Sequence, residues 1–148
     1  MIHEIIKNLV SDIKNPIIFE IGARKGEDTE IIAKNCPHAE IFAFEPLIEH
    51  HHDLYTIEQT YKNVDVRTNA IGNINGKSIF YVSSDTANFK GSSSLKKPKE
   101  HLNMFTHVKF EEERQVDVLT LDKFCIENKI DHIDFLWSDS QGRRIRHN

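Results

Sequence analysis

"IIFEIGARKGEDTEII", residues 17–32, decides the fold. Ile17 to Ile21 make a short apolar run rich in β-branched residues, the composition of a strand covered on both faces. Gly22 stands where that strand must turn, and Gly26 where a helix begins; glycine at such points permits positive φ and close approach of the backbone to a ligand. From Glu27 the sequence reads as a helix to Asn35, burying Ile31 and Ile32 and stopped by Pro37.

Working outward, Ile2, Ile5, Ile6, Leu9, Val10 and Ile13 recur at three- and four-residue spacing and predict a helix over 2–14, ended by Asn15-Pro16. Downstream, "EIFAFEP" (40–46) reads as a strand and "LIEHHHDLYTIEQTY" (47–61) as a helix with Leu47, Ile48, Leu54, Tyr55 and Ile57 facing inward. "VDVRTNAIG" (64–72) reads as a third strand. Helices and strands that alternate with short connections specify an α/β domain, a Rossmann-like, mostly parallel sheet with flanking helices. The pattern then changes. Asn75-Gly76 turns into a strand at Ser78–Val82, and "SSDTANFKGSSSLKKPKEHLN" (83–103) reads as a loop. Val116–Leu119 is a strand, followed by a short helix with Asp122 as its cap. "DHIDFLWSDSQG" (131–142) is an apolar strand that ends in polar residues, and the basic "RRIRHN" follows. With no internal repeat and no boundary, residues 1–148 read as a single domain.

Composition narrows the function. The 148 residues are 39% hydrophobic and 28% charged with a net charge of −4, which leaves no electrostatic footprint for nucleic acid or an anionic membrane. No apolar run is long enough to cross a bilayer, and "MIHEIIKNLVSDIKN" lacks a signal-peptide pattern. Cys36 and Cys125 fit neither a disulfide framework nor a metal knuckle and read as reduced thiols of a cytoplasmic protein.

The glycine turn asks for a particular ligand. Arg24 stands where a dinucleotide fingerprint has its second glycine, and no Gly-Lys-Ser/Thr follows, so neither a pyrophosphate nor a P-loop phosphate is served. Glu27 and Asp28 already place carboxylates at the helix start, where a phosphate would otherwise sit. A ligand with a ribose but no phosphate fits better. Glu45 ends the second strand about 20 residues after the turn, where a carboxylate accepts from ribose hydroxyls. Asn69, at the end of the third strand, is placed to read an adenine edge. The plainer reading of E-x-G-x-x-x-G is a simple strand–helix connection; the three positions on successive strands favour a nucleoside crevice.

In order along the chain, "FEIGARKGEDT", "IFAFEP", "TNAIG", "GSSSL", "VDVLTLD" and "IDFLWSDSQG" resemble the landmarks of FkbM-type methyltransferases, from Ile17 to Gly142. These are class I S-adenosylmethionine-dependent O-methyltransferases that often act on sugar or polyketide hydroxyls. The resemblance implies that Glu20 and the turn through Gly22, Ala23 and Gly26 hold the methionine part of S-adenosyl-L-methionine, that Glu45 holds the ribose, and that Asn69 lies by the adenine. It also implies that Asp139 sits beside the reactive methyl as general base or orienter of the acceptor hydroxyl, with no metal assigned. Positioning a sulfonium methyl in line supplies most of such catalysis.

The chain departs from the family at its end. Ser138 and Ser140 flank Asp139 where the family has apolar residues, and Arg143-Arg144 replace a small residue and glutamate. The six residues after Gly142 cannot hold the helix, parallel strand and antiparallel pair that close the class I fold. The expectation is therefore a truncated chain, its C-terminal strands missing and its activity lost, with "IDFLW" an apolar sheet edge. The alternatives are a partner, such as a second copy, that completes the sheet, or a non-catalytic remnant acting as an oligomerising module. A nicotinamide oxidoreductase is disfavoured by Arg24 and the acidic helix start.

"EHHHD" (49–53) invites a metal reading, but adjacent helical positions diverge by about 100° and cannot converge on one ion, so a solvated helix surface is expected. The lysines of "SLKKPKEH" read as plain surface, and Phe135 and Trp137 as core or edge residues.

Overall fold

In a computed structural model, which describes residues 2–83 and 111–138, the apolar run at 17–21 is strand β1 (Ile17–Ile21), an interior strand of a four-stranded parallel sheet. Before it comes α1 (Ile2–Leu9). After it come α2 (Glu27–Asn35), β2 (Glu40–Phe44), a 3-10 turn (Ile48–His50), α3 (His51–Thr60) and β3 (Val64–Arg67). The remaining elements are β4 (Ala70–Ile71), β5 (Gly76–Ser83), β6 (Glu111–Leu119), α4 (Leu121–Glu127) and β7 (Phe135–Ser138). The main sheet has the order β3-β2-β1-β7, and all its pairings are parallel. This is the Rossmann-like arrangement expected from the alternating pattern, with the strand order reversing at β1.

Each strand splits its side chains between two cores. Ile18, Ile41, Ala43, Val64 and Val66 face one side, where Ile6 and Val10 of the N-terminal segment, Ile32 and Ala33 of α2, and Leu54 of α3 cover them. Phe19, Phe42 and Phe44 face the other, against Phe124 of α4. Phe124 meets all three rings edge-on, at centroid distances of 5.6, 5.6 and 4.9 Å. Arg67 closes this second core, its guanidinium 5.0 Å from the Phe124 ring and paired with Asp65 at 2.8 Å.

A smaller three-stranded sheet, β4-β6-β5, stands beside the main one; β5 runs antiparallel to β6 over Gly76–Ser83 and Glu111–Leu119. At the other end of the main sheet, Asp134 clips β7 to β1: its Oδ2 accepts from the Ile17 N–H at 2.8 Å, and its N–H donates to the Ile17 carbonyl at 2.9 Å. Among the described residues β1 is β7's one strand neighbour, so β7 is an edge of the described sheet, and Leu136 is 40% exposed on it.

Several local expectations change. The helix predicted over 2–14 ends at Leu9; of its apolar stripe, Ile6 and Val10 are deeply buried, while Ile5, Leu9 and Ile13 are exposed. The strand predicted over 64–72 breaks after Arg67, because Ala70–Ile71 leave the main sheet to pair with β6. Thr120, not Asp122, caps α4: in its extended conformation its hydroxyl accepts from the Lys123 N–H, while Asp122 lies within the first turn. Ile31, Ile48 and Tyr55 are exposed rather than inward. The 83–103 loop, apart from Ser83 at the end of β5, and the polar end of the last strand lie outside the described residues.

Candidate functional site

The turn after β1 is built from main-chain bonds to β2. The N–H groups of Gly22 and Ala23 both donate to the Phe44 carbonyl, at 2.9 and 3.0 Å. The Arg24 N–H donates to Glu45 Oε1 at 2.8 Å, and the Gly26 N–H to the Ala23 carbonyl at 2.9 Å. This course needs positive φ at Gly22 (82°), Arg24 (55°) and Gly26 (91°). Phosphate cradles present successive unengaged N–H groups to the anion. Here four of the five between Gly22 and Gly26 end on protein oxygens, which suits an uncharged ligand group better.

Glu45 is the centre of the arrangement. It is 3% exposed, yet both carboxylate oxygens have donors: Oε1 from Arg24 and Oε2 from the Leu47 N–H at 3.0 Å. Its own N–H donates to the Arg67 carbonyl at 2.9 Å, and its carbonyl accepts from His51 Nε2 at 2.6 Å. Burial pushes its carboxyl above the ordinary carboxylate range; the N–H groups of Leu47 and Arg24 and the Arg24 charge pull it back in part. Because the side chain is fixed from both sides, its remaining lone pairs have defined directions, the property a ribose diol would use.

Glu20 lies on the α2 side of β1, 1% exposed, and accepts a hydrogen bond from the Thr29 hydroxyl. Ala23 is buried in the core between the sheet and α2. Gly26 has a reason other than ligand approach: a Cβ there would collide with the Ile57 side chain and come within 2.9 Å of Leu54 Cδ2, so the missing side chain lets α2 start against α3. Asn69 follows β3 by two residues at the strand edge that carries Glu45, since Phe44 and Arg67 are partners in register; its side-chain N–H turns back to the Ala70 carbonyl at 3.0 Å. Glu20, Gly22, Ala23, Gly26, Glu45 and Asn69 thus gather at the carboxyl ends of β1, β2 and β3. Asp139, one residue past the end of β7, lies outside the described residues.

The expectation of a solvated "EHHHD" surface fails at two of its histidines. The divergence between neighbouring positions sends His50 inward, where it is 4% exposed, directs His51 to the Glu45 carbonyl, and leaves His52 in solvent. Neither His50 ring nitrogen has a hydrogen-bond partner among the described residues. The signal available in the sequence was position alone: His50 directly precedes α3 and follows Glu45 by one turn. No group of three or more His, Cys, Asp or Glu among the described residues is arranged to hold a metal ion.

No helix among the described residues is long and apolar enough to cross a membrane. The 2-O-methyltransferase NoeI of Sinorhizobium fredii is 29% identical to this chain over 137 residues, which cover 86% of this chain and 54% of that relative. The chain therefore spans about half the length of the curated relative it matches. The model of the FkbM methyltransferase domain matches residues 20–143, from the buried glutamate of β1 through the glycine turn and β7. On that match, together with the parallel sheet and the crevice at its carboxyl edge, the chain belongs to the FkbM methyltransferase family.

Proposed function

We propose that the crevice at the ends of β1, β2 and β3 binds S-adenosyl-L-methionine and that the protein is an O-methyltransferase acting on a hydroxyl of a sugar or secondary metabolite. The observation that carries this reading is Glu45, a buried carboxylate held by two main-chain donors at the end of β2. In this reading Glu45 accepts from the ribose hydroxyls, Asn69 lies by the adenine, and the turn from Gly22 to Gly26 and Glu20 border the methionine part. When bound, the cofactor supplies an activated methyl group; the chain's own residues orient it and exclude water. Asp139 is the proposed base for the acceptor hydroxyl. Support for a hydroxyl acceptor comes from the relative named as a 2-O-methyltransferase. We place the protein in the cytoplasm, with Cys36 and Cys125 as free thiols.

Isothermal titration with S-adenosylhomocysteine tests the reading. Binding that is lost in Glu45→Ala supports it; a folded wild-type protein that binds no better than Glu45→Ala removes it. A second reading is favoured by the β7 edge with its exposed Leu136: a module that associates through that edge, with a second copy, and binds no cofactor. A dimer dispersed by Leu136→Lys in a chain without any cofactor response would establish it instead.

A further inference from the structure

His50 is a buried imidazole, without a hydrogen-bond partner for its ring among the described residues, at the hinge of the Glu45 turn. The residue is 4% exposed, and neither ring nitrogen meets a donor or acceptor among the described residues. Its main-chain N–H donates to the Leu47 carbonyl at 3.1 Å, and the Leu47 N–H in turn donates to Glu45 Oε2. Glu45 Oε1 holds the Arg24 N–H. One short run of bonds thus joins the seat of His50 to the carboxylate and to the glycine turn.

A neutral imidazole tolerates a seat without partners among the described residues far better than an imidazolium does, because burial penalises the charged ring more. The charged groups that act on it from the glycine turn are Lys25 and Arg24, both cations. From its own segment come Glu49 and His51. Among the described residues Glu49 is the one group that favours a proton on the ring, and it is already paired with Arg114 of β6 at 2.7 Å. Burial is the largest influence, and it holds the ring's pKa below the ordinary histidine value.

We propose that His50 is a proton-sensitive latch on the cofactor crevice: uptake of a proton drives the ring out of its seat, pulls on Leu47 and loosens the carboxylate of Glu45 from the turn. The ligand part of this inference rests on the function proposed above; the latch itself does not. The sign follows from linkage. A histidine whose folded pKa is depressed contributes stability that is present above its unfolded value and lost as pH falls below it. Crevice order should therefore be intact near neutrality and fail on acidification.

The test uses the full chain and two readouts. Ring resonances of His50, with amide protection of Arg24 and Leu47, are followed by NMR from pH 7.5 to 5. S-adenosylhomocysteine affinity is measured over the same range for wild type and for His50→Leu. The latch predicts that His50 titrates below the exposed histidines and that protection at Arg24 and Leu47 falls with its titration. Wild-type affinity should drop by up to about tenfold per pH unit, the limit for one proton, while His50→Leu keeps only the shallower dependence that Glu45 itself contributes. Ordinary titration of His50, or unchanged protection at Arg24 and Leu47 while it titrates, overturns the proposal. An affinity profile as steep in His50→Leu as in wild type overturns it as well. Absence of binding at every pH, with the NMR behaviour as predicted, removes the cofactor reading and leaves the latch standing. His50→Gln, polar and untitratable, gives the same shallower profile if His50→Leu does not fold.

Discussion

The main-chain N–H of Arg24 lies 2.8 Å from Glu45 Oε1, and this bond sets the spacing between the turn after β1 and the end of β2. It is made by a non-glycine residue at φ 55°, a conformation that costs an L-residue about 1–2 kcal/mol. Arg24→Val, with a branched Cβ, should lower unfolding stability by at least about 1 kcal/mol, whereas Arg24→Gly should stay within about 1 kcal/mol of wild type, relief of strain offsetting the added freedom of the unfolded chain. Urea denaturation of the pair decides: equal losses would mean that the backbone at this position is not under strain.

Glu45→Ala leaves the N–H groups of Arg24 and Leu47 without their acceptor. The expected loss is about 2–4 kcal/mol, read as a shift in the denaturation midpoint. Glu45→Gln keeps one acceptor oxygen and should fall between. The pH dependence has a definite sign. Because burial raises the folded pKa of Glu45, its contribution to stability is complete below the unfolded carboxylate value and declines as pH rises through the folded one. Stability curves for wild type and Glu45→Gln should therefore diverge as pH rises from the unfolded carboxylate value through the folded one, with the variant flatter.

Gly26→Ala should be the costlier of two glycine replacements. It combines a positive φ of 91° with a collision against Leu54 and Ile57, for a loss of about 2–4 kcal/mol. Gly76→Ala meets nothing within 4 Å and should show backbone strain alone, about 1–2 kcal/mol. If both variants lose the same stability in thermal melts, the close approach of α2 to α3 does not depend on the missing side chain.

Phe124→Ala empties the point where α4 meets three phenylalanines of the sheet. A loss of about 3–5 kcal/mol is expected, with Phe124→Leu losing much less. Stability within about 1 kcal/mol of wild type for the alanine variant would show that the second core does not depend on α4.

The sequence was informative wherever burial imposes a period. The β1–α2–β2–α3–β3 alternation could be read because its strands are covered on both faces and its helices on one. The placement of Glu45 and Asn69 on one edge then followed from parallel strands. The misreadings fall where burial is not the organiser. Glu111 to Arg114 form half of β6 through antiparallel ladder bonds to β5, although "EEER" has no strand pattern. The break between Arg67 and Ala70 is a choice between two sheets that no local preference encodes. Divergence of adjacent helical positions argues against a metal at "EHHHD" but does not say which histidine points inward; that depends on how α3 docks, and it is His50 that is buried. Gly26 shows the converse, a residue rightly singled out whose reason is a neighbouring helix 28 to 31 positions later, at Leu54 and Ile57.

The clip between Ile17 and Asp134 joins residues 117 positions apart. One flank of β1 can zip to β2 as soon as the first βαβ unit exists, while the other must wait until Asp134 and the strand that follows it have been made. Closing so large a loop is entropically slow. During synthesis on the ribosome β1 therefore spends its first seconds as an open flank, and a chaperone that shields extended apolar segments would find its substrate there.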